Sequence, residues 1–151
     1  MFKHILIPTD GSKLAEKAVK AGVAFAKEVN AKVTGYCAIQ SPGSQIYGEI
    51  YDEGYITSGK VLVELQRRIR EIAEQHVAVI AEAAKAAGVE FNGVVSEDAA
   101  PEKGIIKTAK KSKCDAIFMA SHGRRGIDNV ILGSITHRVL THSRIPGVVF
   151  R

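Results

Sequence analysis

The apolar residues of this chain fall into short continuous runs that alternate with longer stretches of helical periodicity. Residues 2–7 form a nearly unbroken apolar run that Pro8 stops. That is the pattern of a strand buried on both faces, as in parallel sheets. Thr9-Asp10-Gly11-Ser12 follows as a turn rich in helix N-cap residues. Ala15, Ala18, Val19, Gly22, Val23, Ala26 and Val29 then recur at helical spacing, and Asn30 closes that helix. Residues 33–39 predict a second strand, made parallel to the first by a right-handed crossover.

Residues 60–87 predict a long amphipathic helix. Its apolar face is Leu62, Leu65, Ile69, Ile72, Ala73, His76, Val77, Ile80 and Ala84, and Gly88 caps it. Such a helix spans about 42 Å, more than one sheet layer, so its first turns should project or bend. Residues 89–95 read as a third strand. Pro101 opens a short helix with Ile105, Ile106 and Ala109 inward. Residues 114–120 are a fourth strand, 133–143 a helix with Ile135, Val139 and Leu140 inward, and 145–150 a last strand. Five strands alternating with four helices predict an α/β fold, a doubly wound five-stranded parallel sheet with helices on both faces. The sequence has no internal repeat and no linker composition, so residues 1–151 read as a single domain.

The segment 41–59 breaks this pattern. It opens on Ser41-Pro42 and holds Gly43, Gly48, Gly54 and Gly59 with Tyr47, Tyr51 and Tyr55. It reads as a long loop whose glycines oppose a stable helix. The tyrosines, spaced by four, make it a candidate contact for a protein partner.

Composition sets the class. The chain has 46% apolar and 25% charged residues, an ordinary globular balance. No stretch approaches the ~20 continuous apolar residues that span a bilayer. The first residues enter a strand directly, without a signal-peptide layout, so a cytoplasmic location and no membrane partner are expected. Cys37 and Cys114 read as reduced, buried thiols, without metal-ligand spacing. The net charge of +5 is uneven: residues 101–151 carry ten Lys/Arg against three acids. A basic segment fits a polyanion surface or a small-anion site. Nucleic acid ranks last as a partner, because aromatic residues are not interleaved with the cations.

In doubly wound sheets ligands bind past the carboxyl ends of the strands, where strand order reverses. Two loops qualify. One is Pro8-Thr9-Asp10-Gly11-Ser12. The other runs Ala120-Ser121-His122-Gly123-Arg124-Arg125-Gly126 and on to Gly133-Ser134. The second suits a polyphosphate: Gly123 and Gly126 permit close approach and positive φ, and Gly133-Ser134 opens a helix whose free N–H groups face the crevice. Ser134 and Thr136 offer hydroxyls, and Arg124 and Arg125 charge-assisted bonds. Asp10 either accepts ribose hydroxyls or N-caps the next helix. Backbone and apolar surface near Ala38 and Ile39 suit a base.

These loops resemble the universal stress protein family. Ile5-Leu6-Ile7-Pro8-Thr9-Asp10-Gly11-Ser12 is similar to its first strand and turn. Ala120-Ser121-His122-Gly123, nine residues, then Gly133-Ser134 resembles its ATP loop, Gly-x2-Gly-x9-Gly-Ser/Thr. Ile145-Pro146-Gly147-Val148-Val149-Phe150 resembles its last strand. The resemblance implies a Rossmann-like, adenine nucleotide alpha hydrolase-like sheet of strand order 3-2-1-4-5. It also implies ATP as the cofactor; polyphosphates usually bring Mg²⁺, and whether the ion accompanies the nucleotide here stays open. The nucleotide-binding set it suggests is Pro8, Thr9, Asp10, Ala38, Met119, Ala120, His122, Gly123, Arg124, Arg125, Gly133, Ser134, Ile135 and Thr136. Ala120 departs from the family pattern, standing where its first glycine is usual; a methyl there is tolerated if φ is negative. The family further implies a homodimer through Val148, Val149 and Phe150, an apolar edge.

Function is then expected to be ATP binding in a stress-response or signalling module, with slow hydrolysis or none. The alternative is an ATP-free dimeric interaction module. Efficient catalysis is not expected: the sequence has no Walker Lys-Ser/Thr pair and no carboxylate metal cluster. Ser121 and His122 are adjacent and need not face each other, so no catalytic residue is assigned. His4, His76, His137 and His142 show no ligand pattern.

Overall fold

A computed structural model describes residues 1–39, 59–98, 100–123 and 132–151. Its strands are β1 (His4–Pro8), β2 (Lys32–Ile39), β3 (Phe91–Glu97), β4 (Ala116–Ala120) and β5 (Gly147–Phe150). Its helices are α1 (Lys13–Glu28), α2 (Gly59–Ala87), α3 (Pro101–Lys111) and α4 (Ser134–His142). The sheet runs β3-β2-β1-β4-β5, all parallel, the order expected. Tyr47, Tyr51, Tyr55, Arg124, Arg125 and Gly126 lie outside the described residues.

The continuous apolar runs follow from burial on two faces. Ile5 and Ile7 point into one cluster with Val19, Val23, Ile80 and Phe118, under α1 and α2. Leu6, between them, points into the other with Tyr36, Ile105, Ile117, Met119 and Val139, under α3 and α4. Each fully buried aliphatic side chain here contributes about 1.5–3 kcal/mol.

Three helices end alike. Asn30, Gly88 and Lys113 all have positive φ, at 53°, 71° and 55°. After each, the next amide reaches back to a carbonyl of the last helical turn: Ala31 to Ala26 (2.8 Å), Val89 to Ala84 (2.9 Å) and Cys114 to Ala109 (2.8 Å). These are Schellman caps, and they move two strand starts. Val89 and Cys114 close helices rather than open strands, so β3 begins at Phe91 and β4 at Ala116.

The long helix projects as expected. Its buried residues, Ala73, Val77, Ile80 and Ala84, begin only in its second half. Ile72 is a correction, half-exposed at 49% beside the buried Ala73. A second correction falls on α4, where Thr136 and Val139 are buried while Ile135 and Leu140 lie at the surface. Thr136 is drawn inward because its hydroxyl donates to the Ala120 carbonyl, 2.9 Å away, and that fixes the rotation of the helix.

Candidate functional site

β1 and β4 are neighbours, Ile5 opposite Ala116 and Leu6 opposite Ile117, and α1 and α4 leave them to cover opposite faces. Their carboxyl ends therefore lie where strand order reverses, the place at which sheets of this kind bind ligands. The loop after β1 and the loop after β4 meet there: a β-carbon added to Gly123 would overlap the Asp10 carboxylate at Oδ2.

The first loop is set by local bonds. The Thr9 amide donates to the Tyr36 carbonyl of β2 at 2.8 Å. The Gly11 amide donates to Thr9 Oγ1 (3.1 Å) and the Ser12 amide to Asp10 Oδ1 (3.0 Å). Gly11 takes φ +74°, a conformation that favours glycine. The N-cap of α1 is Ser12, whose Oγ accepts from the Ala15 amide at 3.2 Å. Asp10 is thus not the cap; its Oδ1 holds an Asx turn and its Oδ2 faces Gly123.

The second loop hangs on Ser121, which is 2% exposed. Its amide donates to the Phe150 carbonyl and its carbonyl accepts from Gly133, both at 2.7 Å. Its hydroxyl lies 3.1 Å from His122 Nδ1, so the adjacent pair does face each other. The hydroxyl is buried, which denies it the exposure of a nucleophile, and its bonds are those of a loop anchor. Ala120 keeps out of the positive-φ region, where Asn30 and Lys113 are the non-glycine residues among those described. Its methyl is accommodated by the backbone.

Several predicted roles change. The Gly133 amide is spent on Ser121, and a β-carbon on Gly133 would sit 2.9 Å from His122 Cα. Gly133 therefore serves close packing of the loop, as the N-cap of α4 at φ −64°. Gly123 also lies outside the positive-φ region; what it provides is close approach to Asp10. The Thr136 hydroxyl is committed to Ala120. The Met119 side chain points into the core at 4% exposure. Among the described residues, the first turn of α4 offers an anion the amides of Ser134, Ile135 and Thr136, over which Gly133 places no capping side chain. The Ser134 side chain is exposed beside them.

Ala38 lies at the carboxyl end of β2, two residues past the Pro8–Tyr36 pairing, and packs on the core beneath α3. Next to it runs a polar chain that sequence inspection missed. Tyr36 Oη lies 3.0 Å from Ser96 Oγ, Ser96 donates to Asp98 Oδ2 at 2.7 Å, and Lys107 Nζ donates to Asp98 Oδ1 at 3.1 Å. Burial pushes the Tyr36 phenol above its ordinary value, while the Ser96 bond, then Lys107, holds the Asp98 carboxyl low. The one sequence signal was an acid just ahead of a helix start.

The family model described as the universal stress protein family matches residues 1–151, the whole chain. The chain belongs to the universal stress protein family. Universal stress protein MJ0531 of Methanocaldococcus jannaschii is 30% identical over 152 residues, covering 100% of this chain and 83% of that protein. The solved structure of MJ0577, from the same organism, has 29% identity and a TM-score of 0.78, covering 99% of this chain and 95% of its own. Two more distant structures share the fold. A universal stress protein in complex with cAMP is 22% identical at TM-score 0.65, covering 99% and 97% of the two chains. One from Archaeoglobus fulgidus in complex with dAMP is 14% identical at TM-score 0.65, covering 100% and 98%. In this universal stress protein no helix among the described residues is long and apolar enough to cross a membrane.

Proposed function

We propose that this universal stress protein binds an adenine nucleotide, ATP foremost, in the crevice between the β1 and β4 loops. The observation that carries the reading is the meeting of the Asp10 carboxylate with Gly123 at the strand ends, beside a helix whose N-cap, Gly133, supplies no side-chain bond. An adenine nucleotide needs an acceptor for ribose hydroxyls and amide donors for phosphate. Asp10 supplies the first, and the first turn of α4, with the Ser134 hydroxyl, the second. Arg124 and Arg125 add charge for the polyphosphate, and Ala38 with the carboxyl end of β2 offers a surface to the base. His122 borders the phosphates from the Ser121 anchor. Mg²⁺ enters with the polyphosphate, on phosphate oxygens. The cAMP and dAMP complexes of fold relatives support the adenine class.

The reading includes a cytoplasmic homodimer paired through Val148, Val149 and Phe150. β5 is an edge strand with these residues half-buried, a pairing surface in a fold of this kind. The module holds nucleotide for signalling or stress response and turns it over slowly or not at all.

The test is direct. Protein purified without added nucleotide is heat-denatured and the supernatant chromatographed, and stripped protein is titrated with ATP, ADP and AMP in the presence of Mg²⁺. Released or bound adenine nucleotide is expected, with the triphosphate tightest. No release together with no heat of binding for any of the three overturns the reading and leaves an ATP-free interaction module.

A further inference from the structure

The long helix α2 reaches the first loop of the crevice from behind, through one side chain. His76 lies between the buried Ala73 and Val77 on the inward face of the helix. Its ring is the nearest neighbour of Gly11: a β-carbon built there falls among Nε2, Cδ2 and Cε1 of the imidazole. On the ring's other edge, Nδ1 lies 3.9 Å from Cys37 Sγ on β2. One imidazole thus bridges the buried thiol of the second strand and the turn that carries Asp10.

That turn is held at its strand end by the Thr9–Tyr36 bond and at its helix end by the Ser12 cap, and His76 meets it at the glycine between them. Its internal bonds are short-range, Gly11 to Thr9 and Ser12 to Asp10. Its pivot is a glycine, the residue that leaves its φ/ψ region most readily. A plane pressed on the glycine from the α2 side blocks the conformations that swing the turn back over the sheet. Asp10 Oδ2 then stays toward Gly123.

We propose that His76 is a positioning residue for the nucleotide site: held between Cys37 and Gly11, it fixes the β1–α1 turn so that Asp10 is presented to the ligand before the ligand arrives. This rests on the nucleotide reading and adds to it a residue whose role is conformational. When the competent turn becomes a minor state, apparent affinity falls in proportion to its population.

The experiment combines ATP titration with amide ¹H–¹⁵N spectra of the ligand-free full chain. In His76→Ala the Gly11 and Ser12 signals shift or broaden and ATP binds about tenfold more weakly. His76→Gln, which keeps a nitrogen near the Nε2 position, restores sharp Gly11 and Ser12 lines, offset only by loss of the imidazole ring current, and ATP affinity to within about twofold of wild type. His76→Leu keeps apolar volume on α2, should alanine prevent folding, and still displaces the Gly11 signal because it lacks the flat face. Gly11→Ala weakens binding, and adding His76→Ala recovers part of that loss by making room for the methyl group. Ile80→Val, a packing change elsewhere on α2, lowers the melting temperature without touching affinity. Unchanged Gly11 and Ser12 signals in His76→Ala overturn the positioning role, as does equal loss in the alanine and glutamine variants. Wild-type protein that takes up no ATP overturns the nucleotide reading instead, and the ligand-free spectra still decide whether His76 sets the turn.

Discussion

Gly104 lies inside α3, where alanine is ordinarily better than glycine by about 1 kcal/mol. Here the preference reverses, because a β-carbon at Gly104 would overlap the Tyr36 hydroxyl and approach Asp98 Oδ2 to 2.8 Å. Those atoms belong to the polar chain through Ser96, so they cannot move without breaking bonds at the end of the sheet. Gly104→Ala is expected to lower stability by about 1–3 kcal/mol, read as a lower urea midpoint at unchanged slope; a rise would show that the chain repacks freely. Gly123 gives the opposite test. It is exposed, so a methyl group costs little stability, but it intrudes on the Asp10 carboxylate. Gly123→Ala should leave the unfolding free energy in urea within about 0.5 kcal/mol of wild type while weakening ATP at least tenfold, and equal affinity would show that Asp10 and Gly123 do not share the ligand. Asp10 and Gly123 were legible in the sequence because loop glycines and a strand-end carboxylate stand out from their surroundings. The burial of Met119, the spent amide of Gly133 and the inward hydroxyl of Thr136 were not. A motif names residue types, and which hydrogen bonds they have already made depends on elements far along the chain.

Among the elements, the strands were legible because two-sided burial leaves a continuous apolar signature, and the helices because one-sided burial leaves a period. Boundaries were less so. Val89 and Cys114 are apolar and adjoin strands, yet their amides belong to the preceding helices. The inward face of α4 is hidden from the sequence pattern for a related reason: a nine-residue helix shows too few turns to fix a period, and one threonine–carbonyl bond decides its rotation. The Schellman caps also carry a stability prediction. Gly88 takes its left-handed position at no steric cost, whereas Lys113 adopts φ 55° with a β-carbon in the way. Lys113→Gly should therefore stabilise the protein by up to about 1 kcal/mol. Unfolding in urea checks this, and a destabilised variant would mean that the lysine side chain contributes more than its backbone strain removes.

At the scale of the molecule, the sheet has two polar ends with separate duties. The carboxyl end carries the crevice. The amino end carries His4, 8% exposed, whose Nε2 lies 2.8 Å from the Thr34 hydroxyl, and Asp115, which accepts from the Lys3 and His4 amides at 2.8 and 3.0 Å. This cluster ties β1 to β2 and to the start of β4, and it lies a strand's length from Asp10. Burial pushes the His4 imidazole below its ordinary 6.5, Lys32 adds to the effect, and Asp115 opposes it. The unfolded chain then binds the proton more tightly than the folded one. The stability contributed by neutral His4 is fully present above 6.5 and is lost as pH falls below it toward the depressed folded value. Urea unfolding from neutral pH into the mildly acidic range should show a declining midpoint. His4→Gln, which does not titrate, should be less stable at neutral pH and show a shallower decline. ATP affinity per folded molecule should be alike in the two proteins across the same range, since the titrating group sits at the opposite end of the sheet. Parallel declines would place the acid sensitivity elsewhere, and an affinity that tracked His4 would show that the two ends of the sheet are coupled.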